Sequence, residues 1–243
     1  MIMKYTEYKE LLYRAFKENK CEELLTDAAA ERLYRFANIL VETNKAFNLT
    51  AITEEKEVIL KHFVDCASIS RHIPANTTLV DVGCGAGFPS LPLAILRNDI
   101  KITSLDSTTK KIDFINRTAK ELSLSNIVAI SSRAEDFAKS NRERFDVVTS
   151  RAVARLNILD ELCVPLIKVG GLFIAMKSSR GETELEEARS GIQKLGASLT
   201  STDKAHLTFD GATIERETYI FKKTQGTPSQ YPRNYSQIVK KPL

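Results

Sequence analysis

The stretch Leu79-Val80-Asp81-Val82-Gly83-Cys84-Gly85-Ala86-Gly87-Phe88-Pro89 narrows the folds open to this chain more than any other. A strand-like apolar run meets a Gly-x-Gly-x-Gly turn, and Pro89 then opens a helical pattern. Glycine has no Cβ, so it takes positive φ at little cost and lets a ligand approach the backbone. Asp106 ends a second strand-like run, Lys101-Ile102-Thr103-Ser104-Leu105. A carboxylate at that place in a β–turn–α–β unit accepts hydrogen bonds from both hydroxyls of a ribose. Turn and acid together point to a nucleoside-bearing ligand. The alternative is a tight glycine-rich turn that binds nothing.

From Thr78 onward the pattern alternates. Strands are expected at Leu79–Val82, Ile102–Leu105, Ile127–Ser131, Phe145–Thr149 and Leu172–Met176. Helices are expected between them, at Ser90–Arg97, Thr109–Leu122, Leu156–Val169 and Glu182–Leu195. Segments of these lengths build a doubly wound, mostly parallel sheet. Ala205–Phe209 and Thr218–Lys222 add an antiparallel edge hairpin, which makes seven strands. Residues 5–75 read as helical, with Tyr8, Leu12 and Ala15, then Leu33, Phe36 and Leu40, then Ile59, Phe63 and Cys66 on single faces. His72–Asn76 breaks that pattern, and Gly226, Pro228, Pro232 and Pro242 mark an extended tail. The expected organisation is a helical extension (1–75), an α/β domain (76–224) and a basic tail (225–243).

Ligands of such a sheet bind at the carboxyl ends of its strands. The residues there are Gly83–Phe88, Asp106, Arg133–Asp136, Ser150–Arg155 and Lys177. A net charge of +4 does not by itself imply nucleic acid. From Lys222 onward, however, the chain carries Lys222, Lys223, Arg233, Lys240 and Lys241 and no acidic residue, which leaves the rest near −1. That suits either phosphate contacts or a solubilising tail. No apolar run nears the roughly 20 residues of a membrane span. Cys21, Cys66, Cys84 and Cys163 lack CxxC spacing, which fits a reducing cytoplasm and no zinc site. His62, His72 and His206 are too dispersed for metal ligation, and a hydrogen-bonded structural role is expected for His62.

The glycine spacing departs from the dinucleotide fingerprint, because Phe88 stands where G-x-G-x-x-G needs its third glycine. It resembles instead the S-adenosylmethionine loop of Rossmann-like methyltransferases. That resemblance implies that Gly83, Gly85, Gly87 and Asp106 hold the cofactor, and that Ala134 and Glu135 meet its adenine. Phe88 is either a cofactor contact or a core residue. After the fourth strand, amine-methylating enzymes of this fold carry (Asp/Asn)-Pro-Pro-aromatic, whereas this chain has Ser150-Arg151-Ala152-Val153-Ala154-Arg155. Carbon methylation of a pyrimidine needs a cysteine nucleophile, and neither Cys84 nor Cys163 has an evident base beside it. Arginine forks suit phosphate or the O6/N7 edge of guanine. Guanine N7 carries no proton, so methylating it needs placement and no general base.

Several stretches together resemble the bacterial RsmG/GidB family, methyltransferases of guanine N7 in 16S ribosomal RNA. They are Asn44–Thr53, Lys61–Cys66, Asp81–Pro89, Leu105-Asp106-Ser107, Arg133-Ala134-Glu135, Ser150–Ala154 and Tyr231-Pro232-Arg233. The resemblance implies S-adenosylmethionine as cofactor and the small ribosomal subunit as partner; no metal, membrane or obligate protein partner is expected from the residues. It places Arg151 in the cofactor site as a positioning residue. It makes Arg155, Lys177, Arg233, Lys240 and Lys241 the candidates for RNA contact, and suggests that Asn44 and Asn48 tie the N-terminal helices to the site. The family's tail usually continues past Tyr-Pro-Arg with a basic, Gly/Pro-rich run. Asn234-Tyr235-Ser236 replaces it here. Removing residues 230–243 is expected to weaken RNA binding and spare cofactor affinity. The main alternative is a methyltransferase of a small molecule; a nicotinamide-dependent oxidoreductase and a non-catalytic RNA-binding protein are more distant ones.

Overall fold

Periodic apolar faces order the N-terminal helices. The computed structural model describes residues 3–178 and 181–243. Helix α1 (Tyr5–Glu18) buries Tyr8, Leu12, Ala15 and Phe16, and α2 (Asp27–Asn44) buries Leu33, Phe36 and Leu40. The Thr26 hydroxyl accepts from the Ala29 N–H at 3.1 Å, capping α2. After a loop come α3 (Glu55–Val58), a π-helical stretch at Ile59–Val64 and α4 (Asp65–Ser68). Every residue from Val58 to Ala67 except Lys61 is buried. Phe36 and Phe63 lie in one core with Phe88. Each such ring contributes roughly 1.5–3 kcal/mol by leaving water.

The alternating region runs β1 (Thr78–Val82), α5 (Ser90–Leu96), β2 (Lys101–Asp106), α6 (Thr109–Glu121), β3 (Ile127–Ser131), α7 (Ala134–Asn141), β4 (Phe145–Arg151), α8 (Leu156–Cys163), β5 (Ile167–Lys177), α9 (Gly181–Lys194), β6 (Ala197–Phe209) and β7 (Ala212–Lys223). The seven strands are ordered β3-β2-β1-β4-β5-β7-β6. Strands β1 to β5 are parallel, and β7 is antiparallel to both neighbours. Strand order reverses between β1 and β4, so a crevice opens beyond their carboxyl ends. Pairing of Val82 with Leu105 and of Arg151 with Met176 brings those ends into line.

The structure departs from the expected elements in four places. The helix from Leu156 stops at Cys163, Val164–Leu166 form a 3₁₀ turn, and Val169 lies exposed in β5. Pro165 brings no N–H to extend the helix. The edge hairpin is much longer than expected, because β6 is largely solvent-exposed and its polar residues carry no apolar alternation. Helix α7 is an element the local pattern does not announce, being short with only Glu135, Phe137 and Ala138 buried. The tail is not simply extended: it contains α10 (Tyr235–Lys240), whose Ile238 is fully buried. The Arg142 guanidinium holds the approach to it, donating to the carbonyls of Thr227, Pro228 and Tyr231. Among the described residues, no helix is long and apolar enough to cross a membrane.

Candidate functional site

The crevice beyond β1, β2, β4 and β5 is a cavity of about 870 Å³. Gly83, Gly85, Phe88, Asp106, Arg151, Arg155 and Lys177 all line it, so residues scattered in sequence converge there. Gly83 has φ +74°, and a Cβ on it would overlap the Val153 methyls. Gly85 has φ +57°, and a Cβ there would meet nothing. The turn therefore presents bare backbone to the cavity. Substituting Gly85 is unfavourable through its φ and through intrusion into the cavity, not through a clash within the turn. Gly87 does not line the cavity; a Cβ on it would overlap Leu91 of α5, so its role in this structure is close packing.

Asp106 closes the turn from the neighbouring strand. Its Oδ2 accepts from the Gly85 N–H at 3.0 Å and its Oδ1 from the Thr108 N–H at 2.9 Å. Beside it lies a smaller chamber of about 140 Å³, lined by Gly83, Asp106, Arg133, Ala134, Glu135 and Tyr235 among others.

At the opposite end, Arg151 is held on several sides. Its Nη1 donates to Asp65 Oδ2 at 2.9 Å and to the Lys61 carbonyl at 3.1 Å, and its Nη2 meets His62 Nδ1 at 3.2 Å. A guanidinium only donates, so His62 Nδ1 accepts and its proton sits on Nε2, directed at Thr50 Oγ1 at 3.2 Å. The His62 ring stacks on Phe88 with centroids 4.0 Å apart, and the Arg151 guanidinium lies 5.1 Å over the same ring. Phe88 is thus both a core residue and part of the cavity lining. Burial, reinforced by the Arg151 charge, pushes the His62 pKa down to about 3. His62 is therefore neutral at ordinary pH, as a structural histidine should be.

Asp65 is 2% exposed and also accepts from Arg216 Nε at 2.8 Å. One buried carboxylate thus anchors two guanidinium groups at the cavity. Asn44 shapes the nearby loop, its Oδ1 accepting from the N–H groups of Leu49 and Thr50. The RNA-contact candidates are placed unevenly. Arg155 pairs with Glu187, and Lys177 pairs with Glu184 at 2.7 Å and donates to the Ala154 carbonyl. Arg233 lies outside the cavity, bonded through Nε and Nη2 to fully buried Glu161. Lys240 and Lys241 are exposed and, among the described residues, pair with no acid. The chemically suggestive residues that sequence reasoning left unassigned are Thr50, Asp65, Arg216 and Tyr235. For Thr50 and Asp65 the only signal was their place in the family-like stretches. No group of three or more His, Cys, Asp or Glu side chains among the described residues is arranged to hold a metal ion.

Solved structures with this architecture include one from work on the conversion of a disulfide bond into a thioacetal group during echinomycin biosynthesis. It has a TM-score of 0.53 at 20% identity, over 72% of this chain and 84% of that one. TYW2 of M. jannaschii, solved in complex with AdoMet, matches with a TM-score of 0.51 at 14% identity, over 82% of this chain and 78% of its own. The fold is that of the Rossmann-like methyltransferases. Residues 29–212 match the family model described as rRNA small subunit methyltransferase G. The ribosomal RNA small subunit methyltransferase G of Staphylococcus aureus (strain JH9) is 46% identical over 237 residues, covering 96% of this chain and 98% of its own. The chain belongs to the rRNA small subunit methyltransferase G family, and it is a methyltransferase of small-subunit ribosomal RNA.

Proposed function

We propose that this chain methylates N7 of a guanine in 16S ribosomal RNA in the cytoplasm, with S-adenosylmethionine as donor. The residues present fit that cofactor. The glycine turn leaves backbone bare where a Cβ would intrude, and Asp106 stands beside it as an acceptor for ribose hydroxyls. Ala134 and Glu135 line the adjoining chamber, where adenine would be held. When bound, S-adenosylmethionine supplies an electrophilic methyl group.

The observation that carries the choice of N7 is the Arg151 guanidinium, fixed at the cavity by Asp65, whose two oxygens are both committed to guanidinium groups. His62 has both ring nitrogens engaged and a pKa of about 3, so it cannot remove a proton near neutrality. Burial keeps the Cys84 thiol far above its ordinary range, so it offers no thiolate for covalent catalysis. N7 is an sp² lone pair that needs neither. What the chain must do is hold the target base in line, exclude water and stabilise charge. Arg151 and Arg216 on Asp65 are pre-organised donors suited to the O6/N7 edge or to phosphate. Lys240 and Lys241 offer further phosphate contacts outside the cavity.

Transfer of labelled methyl from S-adenosylmethionine to the 30S subunit and to naked 16S RNA, followed by mapping, tests this reading. The expected product is an alkali-labile methylguanosine, formed at a single-turnover rate flat across roughly pH 6.5–8.5. A methyl on carbon or an exocyclic amine overturns it.

A further inference from the structure

The chamber beside Asp106 has a wall that comes from the far end of the chain. Tyr235, the first residue of α10, lines it together with Asp106, Ala134 and Glu135. Gly83, Asp106 and Val153 line both this chamber and the main cavity, so the two are adjoining parts of one cleft. Tyr235 is 40% exposed, and the Arg133 guanidinium lies 5.6 Å over its ring. Core packing does not account for this ring, because other residues anchor the segment. Tyr231 and Ile238 are buried on either side of it, and Arg233 is fastened to Glu161. The aromatic ring is thus presented at a chamber edge, touched by Arg133, on a segment whose buried anchors lie elsewhere.

We infer that Tyr235 closes the adenine end of the cofactor pocket by stacking against the base, so that cofactor binding and docking of residues 225–243 stabilise each other. The inference rests on the reading of the cleft as the S-adenosylmethionine site. An aromatic ring stacks on any planar base and adds affinity without hydrogen bonds. Because coupling between two binding events is reciprocal, whatever the docked tail gives the cofactor, the cofactor returns to the tail. Lys240 ends the same helix and Lys241 directly follows it, so the cofactor-loaded protein presents them from a more firmly held segment. This reverses the expectation that the tail is separable from cofactor binding.

Calorimetry with S-adenosylhomocysteine on the full chain tests the inference. Tyr235→Ala should weaken binding about tenfold, as expected for the loss of one aromatic stacking partner. Tyr235→Phe should bind like the native chain, and the exposed position should leave thermal unfolding unchanged. Hydrogen exchange at residues 235–240 should slow on addition of S-adenosylhomocysteine in the native chain and less so in Tyr235→Ala. Native affinity in Tyr235→Ala alongside weakened binding in Asp106→Ala overturns this inference alone. Failure of the native chain to bind S-adenosylhomocysteine overturns the cofactor reading itself.

Discussion

On the N-terminal side of the cleft, His62 and Asp65 are 5% and 2% exposed, whereas on the C-terminal side Tyr235 is 40% exposed. Both walls come from segments outside the alternating β/α region. The first is locked from within: Asp65 joins Arg151 of β4 to Arg216 of β7, and His62 is fixed between Arg151, Phe88 and Thr50. The second rests on its flanks, through the Arg233–Glu161 pair, the carbonyls that Arg142 holds and buried Ile238. Rigid, desolvated charge is useful where donors must be in place before the reacting groups arrive, since reorganisation then costs little. An exposed ring on an anchored segment suits a place where only affinity is at stake.

The largest effect should come from the locked wall. Asp65→Ala leaves two guanidiniums without their shared carboxylate and should cost about 3–5 kcal/mol in urea unfolding. Tyr235→Ala should cost under about 0.5 kcal/mol in the same assay; equal losses would abolish the contrast. Arg233→Ala should come next, at about 2–3 kcal/mol, because Glu161 is fully buried and loses its cation. Limited proteolysis should then cut the tail faster, and unchanged resistance would show that Ile238 and Arg142 hold it alone. Asp106→Ala should weaken S-adenosylmethionine by about 2 kcal/mol in calorimetry with little change in unfolding.

A smaller effect sharpens the electrostatics of the N-terminal wall. His62 stays neutral in the fold down to about pH 3, while the unfolded chain protonates it near 6.5. The unfolded state then binds more protons, so the stability tied to this site is complete above pH 6.5 and declines as pH falls toward 3. At pH 5.5 the loss should be about 1 kcal/mol, and His62→Gln should lack that limb in urea midpoints measured against pH. Smallest of all, replacing Lys240 and Lys241 with alanine should flatten the salt dependence of RNA binding by about one unit of slope per lost contact. An unaltered slope would make these residues solubilising only.

Most of the fold was legible because alternation of strand and helix is a local pattern. It failed where local signals were thin: polar β6 at the sheet edge, the helix that Pro165 ends early, and α10, whose docking rests on Ile238. The glycine turn, Asp106 and Arg151 could be picked out because each follows a strand directly. Asp65 could not, because its partners lie 86 and 151 positions away and meet it only when the N-terminal helices pack on the sheet. Arg155, Lys177 and Arg233 could be named as candidates for RNA contact but not paired, because a sequence displays charges without their partners. Folding brings Glu187, Glu184 and Glu161 to them.

The π-helical stretch at Ile59–Val64 carries a consequence for how such a chain can change over generations. Hydrogen bonds closed over five residues instead of four accommodate one residue that a regular α-helix would not. That extra residue is absorbed in the wide turn; a regular α-helix through the same residues would turn everything beyond by about 100° relative to what precedes. Asp65 would then swing away from Arg151 and Arg216 with every cavity residue still encoded. A lineage could therefore exchange many side chains here and keep the site while the wide turn persists, yet lose it through a change of winding that alters none of the cavity residues.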